Sequence, residues 1–317
     1  LVCSRAPPGQ KGFLMDVMTA RSRALPLLDG LRAMRTWLVA SLICNMSLIV
    51  TGAVVRVTGS GLGCSTWPKC HAGSYVPHAE ASFHAYVEFG NRLLTFVLAI
   101  AALGAFISVW RTVGKRTKLW WLTLGIGLGI PFQGVIGGIT VLTQLNPWVV
   151  ALHMLLSVAL VVLCVWSVLL GFGRQPAVLA RGERRLVIYT FALAMISVWL
   201  GTVVTGAGPH AGDLDAVRNG LDIVASSRNH SLSAWAVTFA TVVCVVRFVR
   251  VRERVPARAS LLLLATLLLQ GVVGYIQYFL GLPTLVVILH LVGASLVSAA
   301  AGFLLLTSTS EQAAKSA

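Results

Sequence analysis

The sequence is short of charge, and shorter still of negative charge. Only 11% of its 317 residues are charged, against about 25% in soluble domains. Just 10 are Asp or Glu. A water-soluble globule is excluded. The 57% hydrophobic content excludes a disordered chain as well. The acidic residues do not cluster: the one near-pair is Asp213 with Asp215. That argues against prenyl transfer, which needs grouped Asp residues to hold magnesium and diphosphate. Cysteine is scarce too, with six residues and no companion pair at zinc-site spacing. No apolar core precedes the first hydrophobic run, so residues 1–35 do not read as a cleaved signal peptide. They read as a basic cytoplasmic tail, expected to be disordered.

What the chain has is long apolar runs. Eight of roughly 20 residues, each enough to cross a ~30 Å hydrocarbon core, fall near 36–57, 85–110, 119–141, 148–171, 186–206, 230–249, 259–280 and 285–307. The expected fold is all-α: a polytopic membrane protein of eight helices. The net charge of +15 is a topology signal rather than a nucleic-acid footprint. Of 25 basic residues, 20 lie before span 1, after span 8, or in or at the edge of the loops after spans 2, 4 and 6. By the positive-inside rule both termini are cytoplasmic and the protein is multi-pass in the cell membrane, with some attraction to anionic lipid.

The loops alternate in length, long after spans 1 and 5 and very short after spans 3 and 7. That pattern is a repeat of four-helix units. Gln133–His153 reads QGVIGGITVLTQLNPWVVALH and Gln270–His290 reads QGVVGYIQYFLGLPTLVVILH, identical at 10 of 21 positions without gaps. A looser echo joins Val57–Gly61 with Val204–Gly208. Two parallel bundles related by an axis along the membrane normal are expected. Their boundaries fall at 36–173 and 186–307, with a cytoplasmic linker at 174–185 and a tail at 308–317.

Ionisable residues inside a bilayer are functional candidates by default. Glu88, His153, His230 and His290 all fall near the outer ends of spans. His153 and His290 occupy equivalent points of the repeat. Two neutral imidazoles facing each other in a Gly-lined bundle suit bis-His ligation of a haem iron. A hydrogen-bonded core histidine and a proton relay are the other readings.

Several motifs together resemble the haem A synthase family, in a bacterial, actinobacterial-like form. They are T-G-A-V-V-R-V-T-G-S-G-L-G-C at Thr51–Cys64, then Trp67-Pro68 and Cys70, V-E-F-G-N-R-L-L-T at Val87–Thr95, and G-T-V-V-T-G-A-G-P-H-A-G-D at Gly201–Asp213. The likeness runs from about residue 36 to 307. It implies eight helices in two four-helix halves and oxidation of the C8 methyl group of haem O to a formyl group, giving haem A for a terminal oxidase. By this resemblance His230 and His290 ligate haem b, His153 ligates the substrate haem, and Glu88 is the essential carboxylate. It also agrees with a disulfide between Cys64 and Cys70, the two cysteines on the outer, oxidising side.

One position departs from the family pattern. Where Glu-x-x-His is usual on span 2, this chain has Glu88-Phe89-Gly90-Asn91. An amide is a poor axial ligand beside an imidazole. His84, two turns before Asn91 and four residues before Glu88, is a candidate ligand or a partner of Glu88. Arg56, Arg92 and Arg228 are candidate contacts for haem propionates, which a guanidinium grips bidentately. Two solvent-facing histidines, His71 and His78, and a pocket-capping His210 complete the reading. The expected partners are haem O, the lipid bilayer, the prenyltransferase that makes haem O, and an electron donor, with a homo-oligomer also open. The alternative is a haem b electron-transfer protein of the quinol-oxidising type, which would want two bis-His sites.

Overall fold

The computed structural model describes residues 9–78, 81–308 and 310–311, and the side chains of residues 29–78 and 81–308. Eight helices carry the chain: α1 Gly9–Val57, α2 Phe83–Val113, α3 Lys118–Leu142, α4 Pro147–Gly171, α5 Arg181–Ala207, α6 Ile223–Arg250, α7 Arg254–Phe279 and α8 Thr284–Thr307. All eight are long and apolar enough to cross a membrane, α1 through its segment Asp29–Val57. The backbone of α1 continues back to Gly9, into the stretch read above as a tail. Residues 1–8 of that stretch, and 309 and 312–317 of the second tail, lie outside the described residues. A two-residue parallel pairing, Val178–Leu179 with Ser310–Glu311, is the sheet among the described residues.

Caps explain where the helices start. Ser82, Thr117 and Asp222 each accept a bond from a backbone N–H three residues on, and Asn146 caps α4 directly ahead of Pro147. Asp222 moves one boundary. The hydropathy pattern starts span 6 at His230, but α6 begins at Ile223 because the Asp222 carboxylate accepts from Ala225 N–H at 2.6 Å. His230 therefore sits two turns inside its helix, held by regular backbone on both sides.

Each quartet closes into a ring. Helix α1 packs on α2 and α4, and α3 joins α2 to α4; α5, α6, α7 and α8 neighbour one another in the same order. The rings meet through α1, α4, α5 and α8. Small residues let the helices approach. A Cβ at Gly104 would lie 2.5 Å from the indole of Trp37, and one at Gly171 would enter Leu38. The best-packed apolar cores, around Val187, Phe248, Leu263 and Leu304 in one ring and Met34, Leu38 and Val109 in the other, lie toward the end opposite the long loops. Large apolar side chains such as Phe96, Phe239 and Phe279 point outward and are exposed, as lipid-facing positions must be.

Candidate functional site

The histidines gather near the ends that carry the long loops. In the second ring, His230 on α6 and His290 on α8 face each other across the bundle, with ring centroids 6.2 Å apart and planes at 82°. Each ring rests on a glycine of a neighbouring helix. A Cβ at Gly201 of α5 would lie 3.2 Å from Cε1 of His230, and one at Gly274 of α7 would lie 3.0 Å from Cε1 of His290. Nδ1 of His230 is 3.0 Å from the carbonyl oxygen of Ser197. Donation there fixes the tautomer and leaves Nε2 with a free lone pair. Gln270 of α7 donates its amide to the backbone carbonyl of His290 at 2.7 Å. Two imidazole–metal bonds of roughly 2 Å, plus about 1 Å from nitrogen to ring centre at each end, sum to roughly 6 Å. The pair is thus spaced for one metal ion between the rings.

The first ring repeats half of this arrangement. His153 of α4 rests on Gly137 of α3, whose Cβ would lie 3.2 Å from Cε1. Gln133 of α3 donates to the carbonyl of His153 at 3.2 Å and to Ser157 Oγ at 2.6 Å. Nδ1 of His153, like that of His290, is buried without a hydrogen-bond partner. Asn91 occupies α2, and its Oδ1 accepts a bond from Thr51 of α1 at 2.8 Å.

Glu88 is 5% exposed and accepts three N–H groups. Oε2 takes the backbone N–H of Cys64 at 2.7 Å, and Oε1 takes Nε and Nη2 of Arg92, at 3.1 Å and 2.5 Å. Arg92 in turn donates to the carbonyls of Thr66 and Lys69, at 3.1 Å and 3.4 Å. A bare surface pair is excluded by this burial. The two side chains pin the loop between α1 and α2, which the Cys64–Cys70 disulfide closes. Both cysteines are fully buried. Cys44, Cys164 and Cys244 are free; Cys3 lies outside the described residues.

The remaining candidates are dispersed. His84 is exposed and hydrogen-bonds Ser60 at 2.9 Å rather than Glu88. Arg56 Nε donates to the carbonyl of His210 at 2.6 Å, and His210 Nε2 lies 3.0 Å from the carbonyl oxygen of Leu282, so His210 ties the first ring to the α7–α8 turn. Arg228 is exposed and lies two residues before His230, on another face of α6. His71 and His78 stack at 5.1 Å. The sequence reading passed over Ser197 and Thr51, and missed that Gly137, Gly201 and Gly274 seat the imidazoles. The repeat signalled the roles of Gly137, Gly274, Gln133 and Gln270, since all four sit at matched positions.

An eight-helix membrane bundle with glycine-seated histidines, two of them paired, is the class that fold and site define. Comparison with known proteins narrows it. The family model of the cytochrome oxidase assembly proteins, COX15-CtaA, matches residues 35–301, and the chain belongs to that family. Among similar proteins, one from Halobacterium salinarum named protoheme IX farnesyltransferase is 29% identical over 187 residues, 54% of this chain and 40% of that protein. Proteins of Listeria welshimeri and Listeria monocytogenes named heme A synthase are 27% identical over 182 residues, 54% of this chain and 58% of theirs. The chain thus spans about half the length of these curated relatives. The family and the eight apolar helices make this a multi-pass membrane protein.

Proposed function

We propose that this protein is a haem A synthase, oxidising the C8 methyl group of haem O to a formyl group. The observation that carries the reading is the facing pair His230 and His290, spaced for one iron and seated on Gly201 and Gly274. These two would hold a haem b, which when bound supplies electron transfer to or from the substrate site. His153 would hold the substrate haem in the first ring. With Asn91 accepting from Thr51, that ring offers one imidazole where the other offers two. The asymmetry favours a resident haem beside an exchangeable one over an electron-transfer protein with two bis-His sites.

The protein's own groups divide the remaining work. Gln133 and Gln270 orient the helix segments that carry the ligands. The Glu88 carboxylate, positioned by Cys64 N–H and Arg92, is a fixed negative charge that can stabilise positive charge developing at the methyl carbon or hold a proton there. Arg56 remains the candidate for a propionate. The pseudo-twofold relation of the two rings belongs to the same reading and is supported by their matched glutamine, glycine and histidine positions. The basic asymmetry of the loops supports cytoplasmic termini in the cell membrane. The Halobacterium likeness supports a link to the prenyltransferase step that makes haem O.

The test is conversion in a strain that makes haem O but lacks its own haem A synthase. Haem A in the extracted pigment is the expected result. Haem O alone, with the protein present and carrying haem b, would overturn the reading.

A further inference from the structure

One of the positions at which the two rings differ falls beside the ligands. Gly137 and Gly138 are consecutive on α3. Gly137 seats His153, while a Cβ at Gly138 would enter the indole of Trp67. Consecutive helical residues point about 100° apart, so the same turn of α3 receives His153 on one face and Trp67 on the next. Trp67 does not belong to the bundle. It is carried by the disulfide loop, which Glu88 and Arg92 also hold. In the second ring Gly274 seats His290 as Gly137 seats His153, but the residue matching Gly138 is Tyr275. Its own hydroxyl is 3.0 Å from Trp235 Nε1 and 3.4 Å from Ser231 Oγ, joining α7 to α6 on the exposed face of the two helices. At this level the second ring carries an outward-facing pair from its own helices, whereas the first ring is covered by a side chain borrowed from a loop.

We infer that Trp67, seated on Gly138, is the positioning residue that holds the disulfide loop closed over the His153 side of the first ring, and that this removable closure is what lets the first ring exchange its haem. The inference rests on the reading of the first ring as the substrate site. Substrate must enter and product leave there, and lids of this sort commonly govern turnover.

Two measurements on the purified full-length protein test it, with Trp67→Ala, Trp67→Phe and Gly138→Ala. The first reads loop docking without haem: the rate at which dithiothreitol reduces the buried Cys64–Cys70 bond, followed by alkylation and mass spectrometry. The second reads transfer of haemin from the protein to apomyoglobin, counting the fraction that His153→Ala abolishes. Trp67→Ala and Gly138→Ala should each speed both rates, on the order of tenfold, because both remove the same contact from opposite sides. Trp67→Phe should restore most of the wild-type behaviour, and haem held by His230 and His290 should exchange at an unchanged rate in all three. Unchanged rates in both alanine variants, or equal acceleration at the second ring, would overturn the inference alone. Haemin binding that never depends on His153 would overturn the substrate-site reading and the inference with it.

Discussion

Gln270 reaches across from α7 to the backbone carbonyl of His290, 20 residues later in the chain, and Gln133 makes the same bond to His153 across the same interval. The bond joins the two helices of each short-turn hairpin at the level where the imidazole projects. A Cβ at Gly293 would enter the Gln270 side chain, so α8 provides a glycine for the glutamine as α7 provides Gly274 for the histidine. The Gln–His bond is therefore made in both hairpins, while the Gly293 notch belongs to the second alone, Leu156 standing at the matching position of the first.

The facing imidazoles predict which histidines hold haem b. His230→Ala and His290→Ala should each lose the tightly bound haem b, while His153→Ala keeps it. Pyridine haemochrome content of the purified variants checks this. Loss with His153→Ala and retention with His290→Ala would reverse the assignment of the rings.

Glycine seats predict a steric phenotype. Gly274→Val places branched carbons where Cε1 of His290 lies, with even a Cβ at 3.0 Å. The protein should insert in the membrane but bind haem b poorly, and its absorption spectrum should lose the low-spin bis-imidazole bands. Normal bands in Gly274→Val would show that the imidazole is not held against α7.

The glutamine is a positioning group, so its loss should be graded. Interhelical hydrogen bonds in membranes average about 0.6 kcal/mol. Gln270→Leu should lower the thermal midpoint slightly and shift the haem b reduction potential while leaving haem content near normal. A potential equal to wild type would reduce the bond to a structural one.

Glu88→Gln separates charge from shape. The amide still offers an oxygen to Cys64 N–H but gives up the ion pair with Arg92, so the loop should remain docked. The variant should keep haem b and accumulate haem O or the alcohol intermediate in place of haem A. Haem A at the wild-type rate would remove Glu88 from the active site.

The disulfide should be present in protein isolated under oxidising conditions and protected from alkylation in the folded state. Removing it with Cys64→Ala and Cys70→Ala should cost roughly 2–3 kcal/mol in the chain-entropy model for so small a ring. Two thiols alkylated without prior reduction would count against it.

Much of this was legible in the chain alone. Hydrophobic run length fixes eight spans because backbone polar groups in hydrocarbon must be satisfied within each segment, which leaves a long apolar run little alternative to a helix. The repeat at Gln133–His153 and Gln270–His290 is equally local, since identical residues at identical spacing meet the same neighbours in any hairpin of that length. The pairing of Cys64 with Cys70 was also within reach, because these two cysteines share the side that the basic loops mark as outer and oxidising, in agreement with the family resemblance. Boundaries set by a cap were less visible: the Asp222 cap extends α6 through a polar stretch that hydropathy assigns to the loop.

Only the tertiary structure decided how the long loops meet the helices. That Arg92 grips the carbonyls of Thr66 and Lys69, that Arg56 binds the carbonyl of His210, that His84 turns to Ser60, and that Trp67 settles on Gly138 are contacts between segments 20 or more residues apart. A side chain of arginine or tryptophan reaches several ångströms and has several rotamers, so its residue type states what it can bind but not which group it meets. Glycine carries still less information, having no side chain to announce a partner. Its role at positions 137, 138, 201 and 274 exists only once another helix or loop has come close enough to need the missing Cβ.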